Sequence, residues 1–205
     1  LTDAQIVGLT TSQVGALLTA QVAALSTASV VALQDADLGA LSTAQMRALS
    51  AGQLQALSTN DVTLLSTTQA SSLTGVQVAA LTTNQVQALT TSQVTNLTPD
   101  QVNSFTTEQI AKLENADVAA LQASQFTTVT ADQVQAFTTS QISQLSTAVV
   151  AGLTDTQLGA LTTAQLSNMT TTQLDAMSAA KITALSSTQV GALTTAQLAH
   201  LSTTQ

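Results

Sequence analysis

The chain has 205 residues, of which 44% are hydrophobic, only 7% are charged and 1% are aromatic, and it contains no cysteine. Three basic residues against eleven acidic ones give a net charge of -8, which argues against nucleic acid and anionic membrane surfaces as partners. The lack of cysteine excludes disulfides, thiolate metal sites and thiol nucleophiles. No apolar run approaches the roughly 18 residues that cross a bilayer, so we expect no membrane insertion.

An eight-residue repeat, here called the octad, runs from Leu1 through the whole sequence without an insertion or deletion. Written in rows of eight, the chain reads LTDAQIVG, LTTSQVGA, LLTAQVAA and onward to LTTAQLAH and a partial LSTTQ. Position one is apolar in all twenty-six rows, and position six is a large apolar residue in every complete row except at Ala70. Position two is Thr or Ser in twenty-two rows, and position five is Gln in twenty. The pattern predicts one uninterrupted array over residues 1–205, with 25 full octads and a partial one.

The polar half of each octad is typical of a helix start. In the capping box T-x-x-Q, the hydroxyl of the N-cap residue accepts from the amide three residues later, and the Gln reaches back to the N-cap amide. Three such pairs, in chain order, are Thr10 with Gln13, Ser42 with Gln45 and Thr82 with Gln85. Further along, Pro99 falls at the first helical position, where proline is favoured. We therefore predict one helix of about one and a half turns per octad.

Helices this short are unstable alone, so positions one and six must face inward against neighbouring octads. The predicted fold is an all-α solenoid of very short capped helices, with about three octads per coil and with Thr, Ser, Ala, Gln and Asn facing outward. Ala or Gly near the end of an octad, as at Gly15 and Gly159, suits a tight turn or close packing there. One continuous helix is disfavoured because positions one and six would drift about 80° around it per octad. A β-solenoid is the alternative, since Thr and Val suit strands. It would need a turn inside each octad, because a continuous strand places positions one and six on opposite faces.

Among the acidic residues, the pair Asp35 and Asp37 comes closest to a metal-binding pattern. A calcium loop would need further ligands and a turn glycine at defined spacing, which this stretch lacks. Most acids instead fall where the helix dipole favours an anion, in the first turn of a predicted helix: Asp3, Asp35, Asp61, Asp100, Glu108, Asp117, Asp132 and Asp155. We assign no metal ligand and expect no cofactor.

Other candidate residues also have ordinary structural explanations. His200 is the single histidine, with no second imidazole or thiol beside it, and we expect it to be solvated. Two matches to the N-glycosylation sequon begin at Asn96 and Asn168, as expected by accident in a chain this rich in Thr. Core positions hold all three phenylalanines: Phe105, Phe126 and Phe137. No base accompanies the Ser and Thr hydroxyls, so we assign no catalytic residue, predict that the chain is not an enzyme and expect no small-molecule substrate.

The motif L-[ST]-T-x-Q-[VIL]-x-A, as in LTTSQVGA at residues 9–16, resembles the octapeptide arrays of very large secreted or surface-exposed bacterial proteins. The resemblance implies an extracellular location on a bacterial surface and a role as a stalk, filament or adhesin spacer. Because neither end departs from the octad pattern, we expect an excerpt of a longer array, or copies that stack end to end or laterally, with itself as the partner. The leading hypothesis is a structural protein. A ligand-binding adhesin module is the alternative, and ice binding would need coplanar Thr rows that short helix caps disfavour.

Overall fold

The computed structural model describes residues 3–205, and within that range it contains only helices and no strand. The all-α prediction is therefore confirmed, and the β-solenoid alternative is wrong. Each complete octad forms one helix of four to six residues: α1 Asp3–Val7, α2 Thr11–Gly15, α3 Thr19–Ala23, α4 Thr27–Val31, α5 Asp35–Ala40, α6 Thr43–Ala48, α7 Ala51–Ala56, α8 Thr59–Leu64, α9 Thr67–Ser72, α10 Gly75–Ala80, α11 Thr83–Gln87, α12 Thr91–Thr95, α13 Pro99–Asn103, α14 Thr107–Ile110, α15 Asn115–Ala120, α16 Ala123–Phe126, α17 Ala131–Ala136, α18 Thr139–Gln144, α19 Thr147–Gly152, α20 Asp155–Ala160, α21 Thr163–Ser167, α22 Thr171–Asp175, α23 Ala179–Thr183, α24 Ser187–Gly191 and α25 Thr195–His200.

The helices fall into two compact units. The first ends at Phe105 and holds α1–α13, and the second, Thr106–Gln205, holds α14–α25. Within each unit a helix packs against the helix three places further along the chain, as α2 does on α5 and α17 on α20. Each unit is therefore a solenoid in which the chain returns to its own preceding coil at regular intervals.

Backbone geometry explains how one octad leads into the next. Ser50, the N-cap residue of α7, has extended dihedrals (φ −71°, ψ 162°), and the helix begins at the next residue. The hydroxyl of Ser50 accepts from the amide of Gln53. The helix ends when Leu57 returns to extended geometry (φ −62°, ψ 138°). No residue in the range 3–205 has a positive φ, so the turn between octads does not require glycine. The close packing expected at the row end is found at Gly15, where a Cβ would lie 3.3 Å from the Ala40 carbonyl oxygen, but not at Gly159, where nothing lies within 4 Å.

The predicted helix starts are confirmed in detail. Capping boxes form at all three pairs named from the sequence: Thr10 with Gln13, Ser42 with Gln45 and Thr82 with Gln85. Pro99 is the first residue of α13, whose N-cap is Thr98. Leu18 occupies an N-cap position without a hydroxyl, and there only the Gln21 half of the box is made. The cap is therefore a property of each octad by itself.

Positions one and six form the core, as predicted. Val14, Leu54 and Leu166 at position six are completely buried. Ala70, the one small residue at this position, lies beside an apolar cavity of about 10 Å³, which is barely room for one water. Phe126 and Phe137 stack in the core of the second unit with ring centroids 5.7 Å apart. These aromatic residues therefore take core positions that aliphatic residues hold in most other octads.

The structure refines the predicted value of about three octads per coil. Helices three octads apart pack together, yet hydrogen bonds between coils join residues as far apart as 31 positions, as between Gln93 and Val62. One coil therefore contains between three and four octads. Each octad lies over the junction of two octads in the preceding coil, an offset that the repeat length alone does not specify.

Candidate functional site

The side chain at octad position five is the most regular polar feature of the interior, and Gln93 illustrates it. Its Oε1 accepts from the backbone N–H of Thr90 at 2.7 Å, which completes the capping box of α12. Its Nε2 donates to the carbonyl oxygens of Val62 and Leu65, both at 2.7 Å, in the preceding coil. One side chain thus starts a helix and also attaches it to the coil before it.

The same pair of bonds, to carbonyl oxygens 31 and 28 residues earlier, recurs through both units at 2.7 to 3.2 Å. The carbonyl 31 residues earlier lies in the last turn of a helix and also accepts from the amide three residues after it, as that of Val62 does from Leu65. The carbonyl 28 residues earlier belongs to the apolar residue that follows the helix. We call the side chains that make both bonds the glutamine ladder, and they include Gln45, Gln53, Gln69, Gln77, Gln85, Gln93, Gln101, Gln141, Gln157, Gln165, Gln173, Gln189, Gln197 and Gln205.

The ladder corrects the prediction that glutamine faces outward. Gln53 and Gln93 are only 2% and 1% exposed. A buried amide is costly unless its polar atoms are hydrogen-bonded, and here Oε1 has the N-cap amide while Nε2 has two carbonyl oxygens. The sequence signal was available, because a capping box accepts Glu as well as Gln, yet position five holds no Glu in any row. A donor at position five accounts for the preference for Gln over Glu.

Substitutions at position five separate the two halves of this role. Lys181 keeps the donor, since its Nζ bonds the carbonyl oxygens of Ala151 and Leu153 in the preceding coil. Asp61 keeps the acceptor, with its Oδ2 2.8 Å from the amide of Ser58. Val149 can supply neither, and it is fully buried. The coil-to-coil bond is therefore frequent, and single octads dispense with it.

The acidic pair Asp35 and Asp37 lies in the first turn of α5, as predicted. Asp37 is buried, with Oδ1 2.9 Å from the Thr11 hydroxyl of the preceding coil and Oδ2 within 3.4 Å of the Gln34 amide. These contacts are structural, because they repeat the cap and coil contacts of position five with acceptors alone. Across residues 3–205, no group of three or more His, Asp or Glu side chains is placed to hold a metal ion.

The remaining candidate residues lie on the surface. His200 and Asp175 come from neighbouring coils, with Nδ1 and Oδ2 3.8 Å apart and side chains 58% and 48% exposed, an arrangement that contributes little to stability. Asn96 and Asn168 are exposed at the ends of α12 and α21, where each Nδ2 donates at 2.8 Å to the carbonyl four residues earlier. Apart from this exposed pair of His200 and Asp175, these side chains have only local contacts.

Comparison with known families agrees with this architecture. A family model described as the ALTTAQ repeat matches residues 1–27, 30–67, 76–107, 110–147 and 167–203, which together make up most of the chain. The chain belongs to the ALTTAQ repeat family. The six letters ALTTAQ occur unchanged at residues 160–165 and 192–197, and in both places the final Gln is a ladder residue. No curated protein sequence matches the chain significantly. In the described part of this ALTTAQ array, no helix is long and apolar enough to cross a membrane.

Proposed function

We propose that this chain is a structural segment of an extracellular array, where it serves as a spacer or stalk and has neighbouring octads or further copies of itself as partners. The observation that carries the proposal is the glutamine ladder. The polar side chain that recurs in most octads is used to join one coil to the next, so it is not available to a substrate or ligand. The proposal includes no catalytic role and no cofactor.

Repetition of identical contacts supports a role in providing length. An octad contributes two inward apolar residues, a capped helix start and, in most rows, a ladder amide, as Leu161, Leu166, Thr162 and Gln165 do for α21. The carbonyl oxygens that the next coil needs are supplied at the same octad positions. Stability in such an array is a sum of repeat and nearest-neighbour contributions, so octads can be added without a new type of contact.

The outward-facing residues also suit a spacer better than a recognition surface. Position three is mostly Thr and is exposed or half-buried, with Thr43 and Thr59 among the exposed residues, and few charges interrupt this neutral surface. Because a coil contains a fractional number of octads, an octad does not lie directly over its counterpart in the preceding coil. Equivalent threonines therefore do not align in columns across coils, which weighs against ice binding. The bacterial surface location rests on the resemblance to octapeptide arrays of large secreted proteins.

The proposal is tested by shortening the array in whole octads. Deletion of residues 161–168 and of residues 161–176 should leave the helical circular dichroism per residue unchanged and reduce the maximum dimension in small-angle scattering by equal steps. Deletion of residues 161–164 alone is the control, because it breaks the octad phase and should disrupt the coils around it. A maximum dimension that does not change with octad number would refute the spacer role. Protease accessibility on intact cells of the native source tests the location, and sedimentation velocity tests self-association into filaments.

A further inference from the structure

We infer that the array is also extensible: under tension it releases one octad at a time, and it rewinds when the tension falls. This inference rests on the proposed structural role and adds a mechanical function to it. It follows from three properties of the fold, namely the short reach of its contacts, their near identity from octad to octad, and the local nature of the helix cap.

Contacts in the array have a short reach along the chain. In the second unit, α19 packs against α16 on one side and α22 on the other, and the ladder bonds of Gln173 end at Ile142 and Leu145, 31 and 28 residues earlier. When the octad of α22 leaves, α19 keeps its contacts with α16. Small globular domains unfold all-or-none. In repeat arrays, each repeat contacts only its neighbours, and one can leave without breaking the rest.

The work of each release is similar because each octad gives up a similar set of contacts. Release of the octad of α25, for example, breaks the bonds of Gln197 to the carbonyls of Leu166 and Met169. Release of the octad of α24 breaks those of Gln189 to Leu158 and Leu161. Eight residues pulled straight span about 27 Å. Tension should therefore extend the array at a nearly constant force, in increments set by the octad.

Rewinding is favoured because half of each octad's polar contacts need no neighbouring coil. The bonds between Thr162 and Gln165 that cap α21 join residues three positions apart. A released octad can re-form this cap and then dock its Leu166 side chain and Gln165 amide. Each docking step closes onto a coil that is already folded, so return does not require a new nucleus.

The inference is tested by pulling the full chain between its ends in optical tweezers. Because the sequence has no cysteine, one cysteine added at each terminus gives unique attachment points. The expected record is a plateau of nearly constant force, with steps of about 27 Å or small multiples, retraced on relaxation. A single rip that releases the whole chain at once would overturn the inference. The spacer role would survive that result if the scattering dimension still falls with octad number.

A pair of variants tests whether the ladder sets the force. Gln165→Glu places a carboxylate against the carbonyl oxygens of Val134 and Phe137 and should lower the force at which the octad of α21 is released. Gln144→Glu is the matched control, because Gln144 is exposed and its Nε2 contacts only the neighbouring Ser143 hydroxyl. It should leave the plateau unchanged. Equal plateaus for Gln165→Glu and the unaltered chain would also contradict the inference.

Discussion

Gln21 in the first coil and Gln53 in the next occupy the same octad position with different surroundings. Gln21 accepts from the Leu18 amide at 2.8 Å, and its side chain is exposed. Gln53 accepts from the Ser50 amide at 2.7 Å, donates to the carbonyls of Val22 and Leu25 at 3.1 and 2.7 Å, and is 2% exposed. The comparison shows that an octad forms its own helix cap, whereas burial of its glutamine depends on a preceding coil.

The apolar residues show the same dependence at the other end of the described chain. Leu166 and Leu198 both occupy position six and lie four octads apart in the second unit. Leu166 is completely buried, whereas Leu198 is 46% exposed. Identical residues in identical octads therefore contribute differently, according to whether a further coil covers them. Matched substitutions at covered and uncovered positions test that difference.

The largest effect should come from truncating the buried leucine. Leu166→Ala removes a fully buried side chain and should lower the free energy of unfolding by about 2 to 5 kcal/mol. Leu198→Ala should cost less than about 1 kcal/mol, because much of that side chain already contacts water. Urea denaturation followed by circular dichroism measures both variants. Equal losses would mean that position six does not gain its stabilising effect from the neighbouring coil.

A smaller effect should follow from changing the ladder amide to a carboxylate. Gln53→Glu removes the donor to Val22 and Leu25 and buries a charge against their oxygens, so we expect a loss of about 2 to 3 kcal/mol at neutral pH. Gln21→Glu keeps the capping box and should change stability by less than about 0.5 kcal/mol.

Acidification provides the control for this glutamine pair. A proton added to the carboxyl at position 53 can be donated to a carbonyl oxygen, so the Gln53→Glu variant should recover part of its stability as the pH falls. If Gln53→Glu and Gln21→Glu lowered the free energy of unfolding by the same amount at neutral pH, the bonds between coils would have no measurable role.

The smallest effect is an expected gain. Val149→Gln restores the ladder residue that α19 lacks, opposite the carbonyls of Val118 and Leu121, and should raise stability by about 1 kcal/mol. Val150→Gln is the control, since the neighbouring Val150 at core position six is also fully buried and an amide there would face apolar side chains. A loss of similar size in both variants would show that the coil has no place for a donor at position 149.

Sequence reasoning recovered the features that are local to an octad. Capping boxes such as Thr82 with Gln85, the first helical position of Pro99 and the inward side chains of positions one and six all follow from rules that act within a few residues. The second role of Gln85 was missed because its bonds to Leu54 and Leu57 reach 31 and 28 residues back. An eight-residue pattern does not indicate which carbonyl oxygens of the preceding coil lie opposite the side chain at position five. The same limitation explains why the offset between octads of successive coils was not predicted.

The fractional number of octads per coil has a consequence for how such genes can change. Where a coil holds a whole number of repeats, each repeat has its own place on the circumference, and loss of one shifts all later ones out of register. Here most octads make the same pair of bonds, to carbonyl oxygens 31 and 28 residues earlier, wherever they fall on the circumference. Slippage during DNA replication that adds or removes the codons of a single octad would therefore yield another well-formed array, so alleles of many different lengths could all encode stable proteins.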